Sequence, residues 1–166
     1  SYGPRCHHEG DSGEVIPKLL LRCMAGKPMI IFGDGTQTRD FTYVSDTARG
    51  ILMAGVADLA VGKTINLGSG FEITINDLAK EISSIVSHQD TVIIHDDPRP
   101  GDVLRLYAET TKANNLLGFD PKVTLREGLT KLKDWYLSLG ESPEILLQHE
   151  IVRNWDLKGV KQSVGG

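Results

Sequence analysis

Apolar positions in this chain come in short runs whose spacing alternates between the period of a helix and that of a strand. "EVIPKLLLRCMAG" has Pro17 near its start and Gly26 at its end, the asymmetry of a short helix. "KPMIIF" and "RDFTYV" are β-branched and aromatic runs on either side of the polar "GDGTQT", which predicts two strands joined by a glycine-rich connection and leaves open whether they pair as a hairpin. "SDTARGILMAGVADLA" carries helical spacing with Ser45 or Asp46 as its expected N-cap. "KTINLGSG" reads as a strand ending in a glycine turn. Next, "TINDLAKEISSIVS" sets Thr74 and Asp77 at capping-box spacing and aligns Ile75, Leu78, Ile82 and Ile85 on one face.

"TVIIH" predicts another strand, "DDPRPGD" a loop, and "VLRLYAE" a further short strand. "TKANNLLG" ends a short helix at Gly118, and "TLREGLTKLKDWYLSLG" opens on a Thr124/Glu127 capping box. Ser142 and Pro143 restart a helix in "SPEILLQHEIVRNW", and the tail "KGVKQSVGG" is expected to fray. Strands alternating with helices, without internal repeats, give an α/β class.

At 166 residues, 40% of them hydrophobic and 24% charged, the composition is that of one globular unit with its own core. A formal charge of −4 disfavours a general nucleic-acid partner while permitting a local cationic pocket. No apolar run reaches membrane-spanning length, and the opening "SYGPRCHHEG" has no signal-peptide core, so the expected location is cytoplasmic, off the membrane. Cys6 and Cys23 read as free thiols of a reducing compartment.

Candidate chemistry starts with Arg39 beside the glycine-rich turn and Arg99 in "RPGD", stiffened by Pro98 and Pro100. An arginine fork matches phosphate oxygens, and two of them on separate rigid loops could clamp a diphosphate. The residues alone favour the plainer reading, in which each pairs with a surface carboxylate, Asp40 or Asp102. Asn66 sits among glycines at a predicted strand end, where a ligand contact and a turn-forming Asn look the same. "CHHE" contains metal-ligand types, but four consecutive side chains do not converge on one ion, and no zinc-like pair accompanies them. Asp96 and Asp97 read as a solvated turn before an acid/base pair, and no nucleophile elbow or Walker loop occurs.

Six motifs in order, "YGPR", "VIPKLL", "GKPMIIFGDGTQTRDFTYVSD", "INLGSG", "RPGDV" and "TKANNLLGFDPKVTLREGL", resemble the C-terminal half of the extended short-chain dehydrogenase/reductase family of nucleotide-sugar epimerases and dehydratases. The resemblance runs from Tyr2 to about Tyr136, and it takes in UDP-glucose 4-epimerase-like members and dTDP-glucose 4,6-dehydratases, with a slight lean to the former. It implies a small mixed α/β substrate-binding domain over residues 1–140, followed by a helical extension and tail over 141–166. In that family a preceding Rossmann domain binds NAD, a Tyr-x-x-x-Lys pair moves the proton, and the smaller portion grips the nucleotide diphosphate.

Carried over by residue, the resemblance implies that Arg39 and Arg99 bind the diphosphate of a UDP- or dTDP-hexose and that Asp102 accepts from the ribose. Val15 and the backbone of Ile30 would border the base, and Asn66 would lie near phosphate or ribose. Neither a G-x-x-G-x-x-G turn nor a Tyr-x-x-x-Lys pair occurs here: the residues four after Tyr2, Tyr43, Tyr107 and Tyr136 are Cys6, Thr47, Thr111 and Gly140. The expectation is a chain that binds no NAD, is not catalytic by itself, and represents the substrate-binding part of an NAD-dependent enzyme. The alternatives are a free-standing nucleotide-sugar-binding or protein-interaction module, and a half-enzyme completed by a Rossmann half in trans, whose uncovered apolar face would favour self-association.

Overall fold

The computed structural model describes residues 1–10, 13–87, 91–153 and 155. Helix α1 (Val15–Met24) leads through a turn at Gly26, φ +64°, into β1 (Met29–Phe32). β1 pairs in parallel with β4 (Ile93–Asp96), Met29 opposite Ile93 and Phe32 opposite Asp96. The second sheet centres on β2 (Thr38–Asp40), antiparallel to β3 (Glu72–Thr74) on one side and parallel to β5 (Arg105–Leu106) on the other. The two runs flanking the glycine-rich turn therefore do not form a hairpin. Each finds its partner far along the chain, because the turn hands the strand from one sheet to the other.

Four helices follow β2: α2 (Val44–Val56), α3 (Ile75–Val86), α4 (Thr111–Leu117) and α5 (Leu125–Ser138), with the single turn α6 (Pro143–Leu146) closing the order. The predicted caps of α3 and α5 are present, Thr74 accepting from the Asp77 amide and Thr124 forming a full capping box with Glu127. Helix α2 departs from expectation. Its N-cap is Tyr43, with no side-chain cap, and Asp46 lies in the first turn, buried. Asp46 accepts from the Arg49 guanidinium at 2.8 Å and from the backbone amides of Lys122 and Val123 at 2.9 Å each, so its carboxylate ties α2 to the lead-in of α5.

"KTINLGSG" is also not a strand. Its end wraps a side chain instead: the Asp40 carboxylate accepts from the Ser69 amide at 2.9 Å, the Ser69 hydroxyl at 2.6 Å and the Gly70 amide at 3.2 Å. A Cβ on Gly68 would stand 2.4 Å from that of Ala108, so the close approach requires glycine there. These amides satisfy a carboxylate rather than a neighbouring strand, which removes the segment from the sheet.

The core joins α1, β1, α3 and α5 through Leu19, Leu20, Met29, Ile31, Leu78, Ile82, Leu129 and Leu132, all buried. Tyr2 inserts beside them and donates to the Leu125 carbonyl at 3.1 Å. Burial pushes the pKa of Tyr2 up, keeping it a neutral donor. A Cβ on Gly128 would lie 2.1 Å from the Tyr2 hydroxyl oxygen, which explains a glycine in the first turn of α5. Beyond α5, Leu146 and Leu147 join the same core, each stabilising the fold by about 1.5–3 kcal/mol. The helix expected from Ser142 onward stops after one turn, capped by the Ser142 hydroxyl, and the chain continues irregularly. The tail 158–166 lies outside the described residues.

Candidate nucleotide-binding site

A cavity of about 540 Å³ opens between the N-terminus of α1, the end of β1, β2 and the loop before β5. Its apolar wall is made by Val15, Ile16, Leu19, Ile30 and Phe41, while Lys18, Arg39 and Arg99 bring positive charge and Asp102, with Glu14 and Asp40 also on the lining, negative charge. Of the six residues singled out in the sequence, Val15, Ile30, Arg39, Arg99 and Asp102 line this cavity. Asn66 does not. It is exposed on the segment leading to the Asp40 wrap and is absent from the lining.

Strand alternation explains the arrangement around Arg39. Gln37 and Arg39 are two residues apart and face one side of the sheet, while Thr38 and Asp40 face the other. On the outer side Thr38 donates to Glu72 at 2.8 Å and Asp40 is wrapped as described. On the cavity side the Arg39 guanidinium donates to Asp102 and, through Nη1, to the Thr38 and Val103 carbonyls at 2.7 Å each. Gln37 donates to the Phe32 carbonyl at 2.9 Å and to Asp102 at 3.4 Å, linking the end of β1 to the same carboxylate. The pairing of arginine with a carboxylate and its membership of a cavity thus turn out to be compatible. A guanidinium has five N–H donors, and among the described residues its Nε makes no hydrogen bond, which leaves capacity for an anion.

Arg99 and Asp102 owe their proximity to a turn. The Asp102 amide donates to the Arg99 carbonyl at 3.1 Å, Pro100 occupies the second position, and Gly101 the third with φ +74°. That combination is the signature of a type II turn, in which the third position needs a positive φ. The turn sets the two side chains on the rim of one cavity, opposite the apolar wall formed by α1 and β1.

The sequence reading missed most of the lining, Lys18, Gln37 and Trp155 among the polar and aromatic members. Gln37 was detectable from its spacing to Arg39. Lys18 lies one turn after Val15 on α1, and its ammonium donates to the Ile151 carbonyl at 2.8 Å. Burial draws its pKa down, partly opposed by Glu150. Asp96, the last residue of β4, and Asp97 after it both receive the Arg153 guanidinium, and Asp97 stays solvated, with its side chain 80% exposed. Among the described residues no group of three metal-ligating side chains converges, and no helix is long and apolar enough to cross a membrane.

Relatives carry the segment that builds this cavity. A family model described as GDP-mannose 4,6 dehydratase matches residues 1–132. The chain belongs to that family. Its members fall within the extended short-chain dehydrogenase/reductases that act as nucleotide-sugar epimerases and dehydratases. A UDP-glucose 4-epimerase of Mycolicibacterium smegmatis is 34% identical over 135 residues, covering 81% of this chain and 42% of the relative. The structure of a UDP-glucose 4-epimerase of Thermotoga maritima with UDP-glucose superposes with a TM-score of 0.73 at 34% identity, over 84% of this chain and 44% of that one. A Bacillus cereus UDP-glucuronic acid 4-epimerase in complex with UDP-glucuronic acid and NAD gives 0.76 at 33% identity, over 83% and 43%. The chain thus spans less than half the length of these relatives, and its mixed α/β fold is that of their C-terminal portion.

Proposed function

We propose that this chain is the nucleotide-sugar-binding portion of a UDP-glucose 4-epimerase-like member of the family. Arg39 and Arg99 hold the diphosphate, Asp102 accepts from the ribose, and Val15 with the Ile30 backbone borders the base. The single observation that carries this reading is the convergence of those five residues, from four separate stretches of sequence, on one cavity. Asn66 is assigned no role, since it lies away from the lining.

NAD belongs to the family's chemistry, but the residues of this chain do not fit it. Its two glycine-rich turns are filled by its own side chains, Gly35 against Asn76 and Gly68 against Asp40, so neither offers an open cradle to a pyrophosphate. No Tyr-x-x-x-Lys pair is present in the sequence. We therefore assign no hydride or proton step to these residues.

Calorimetric titration with UDP, dTDP and UDP-glucose tests the reading. UDP and UDP-glucose are expected to bind, more weakly as ionic strength rises, because the diphosphate is held by charge. No heat with any nucleotide, or epimerisation of UDP-glucose by this chain with NAD alone, overturns it.

A second reading, assembly with a Rossmann half in trans, is favoured by the outer face of α2. Ile51, Leu52 and Val56 are 60%, 72% and 86% exposed there, an apolar stripe of the kind that marks an interface. Sedimentation is expected to show concentration-dependent association, reduced by Leu52→Glu. A monomer at all concentrations overturns that reading.

A further inference from the structure

Residues 143–153 and 155 lie beyond the 1–132 stretch matched by the family model, yet they return to the cavity and are fastened at several points. Leu146 and Leu147 enter the core. The His149 carbonyl accepts from the Gly10 amide at 2.9 Å, and the Ile151 carbonyl accepts from Lys18. Glu150 pairs with Arg22 at 2.9 Å, with both side chains largely withdrawn from solvent. Arg153 then binds Asp96 and Asp97, immediately before the loop that carries Arg99. These fastenings deliver Val152 and Trp155 to the cavity wall.

Trp155 meets two residues there. Its ring stands edge-on to Phe32, the last residue of β1, with centroids 4.4 Å apart and planes at 84°. The Arg99 guanidinium lies over the same ring, 5.6 Å from its centroid. Arg39 is held by Asp102, whereas Arg99 forms no ion pair among the described residues, so the indole is its principal restraint. A contact with a ring face uses none of the guanidinium N–H groups, which stay available to an anion.

We propose that this strap is a third wall of the nucleoside-diphosphate site and that Trp155 is a positioning residue for Arg99. The inference rests on the nucleotide-binding reading of the cavity. It adds that the second arm of the diphosphate clamp depends on a segment outside the stretch matched by the family model. Holding a long, exposed arginine in place before the ligand arrives lowers the ordering cost of binding.

The test is UDP titration of the wild-type 166-residue chain, Trp155→Ala, Trp155→Phe, Arg99→Ala, Arg39→Ala and the Trp155→Ala/Arg99→Ala double variant, each with a thermal melt. Trp155→Ala is expected to bind UDP about three- to fivefold more weakly, the effect of losing one cation–π contact. Trp155→Phe should recover most of the loss. The double variant should bind no more weakly than Arg99→Ala, because the indole acts through that arginine; a purely structural role would add the two losses. Unchanged affinity in Trp155→Ala, tighter binding there, or additive losses in the double variant overturns the proposal, while loss of binding in Arg39→Ala still sustains the nucleotide site. Absence of UDP binding by the wild type overturns both.

Discussion

Arg39→Ala should weaken UDP binding by about tenfold or more, the cost of losing charge-assisted hydrogen bonds to a phosphate. Two effects act in the same direction. The variant removes one cationic arm, and it strips Asp102 of its ion-pair partner, leaving a carboxylate beside the position proposed for the diphosphate. Arg39→Lys retains the charge but cannot reach Asp102, Thr38 and Val103 with a planar fork, so it should fall between alanine and wild type. Uridine, which has no phosphate, should lose little affinity in either variant. Calorimetry with UDP and uridine side by side measures this. Equal losses for the two ligands would place Arg39 at the base or the ribose, and the diphosphate assignment would fail.

The physics behind these expectations was unevenly visible along the chain. Local chemistry was legible: Thr74 and Thr124 cap the helices their spacing predicts, and Pro100-Gly101 makes the turn that its residues demand. The cavity was legible in part, because "TQTRD" alternates and so commits Arg39 to one face of the sheet. What stayed hidden depends on partners distant in sequence. The glycine-rich turn after β1 looks like a hairpin connection, yet Phe32 pairs with Asp96 and Thr38 with Thr74 and Arg105. "LGSG" carries strand-like neighbours, but its amides serve the carboxylate of Asp40, 29 residues earlier in the case of Ser69. Trp155 follows an irregular stretch with no period to read, and its place is set by the Glu150–Arg22 ion pair and by the Arg153 contacts to Asp96 and Asp97. Asn66 shows the opposite failure, a suggestive residue in a suggestive motif whose glycines have a structural duty elsewhere.

An aspartate at a helix start usually caps it, which is why Asp46 stands beside Ser45 as an expected N-cap, but its buried carboxylate instead holds two distant backbone amides. Asp46→Ala should destabilise the fold by about 3 kcal/mol, since it orphans two backbone amides in a part-buried site and leaves Arg49 without its carboxylate. Against the 5–15 kcal/mol typical of a whole domain, that is a large share. Asp46→Asn keeps one oxygen for the Lys122 and Val123 amides and should cost about half as much.

The pH dependence separates this role from simple loss of packing. Burial alone would raise the pKa of Asp46, but the hydrogen bonds from Arg49, Val123 and Lys122 outweigh it and hold the carboxyl below its ordinary value. A carboxyl depressed in the folded state stabilises fully above its unfolded pKa, about 3.9, and loses that contribution as pH falls through the folded value. Wild type and Asp46→Ala should therefore differ most near neutrality and converge in acid. Urea midpoints measured across that range check the claim. A gap that stays constant down to the lowest pH at which both proteins fold would mean that the charge of Asp46 contributes nothing, and that α2 is joined to the α5 lead-in by packing of Gly50 against Leu67 and Phe119 instead.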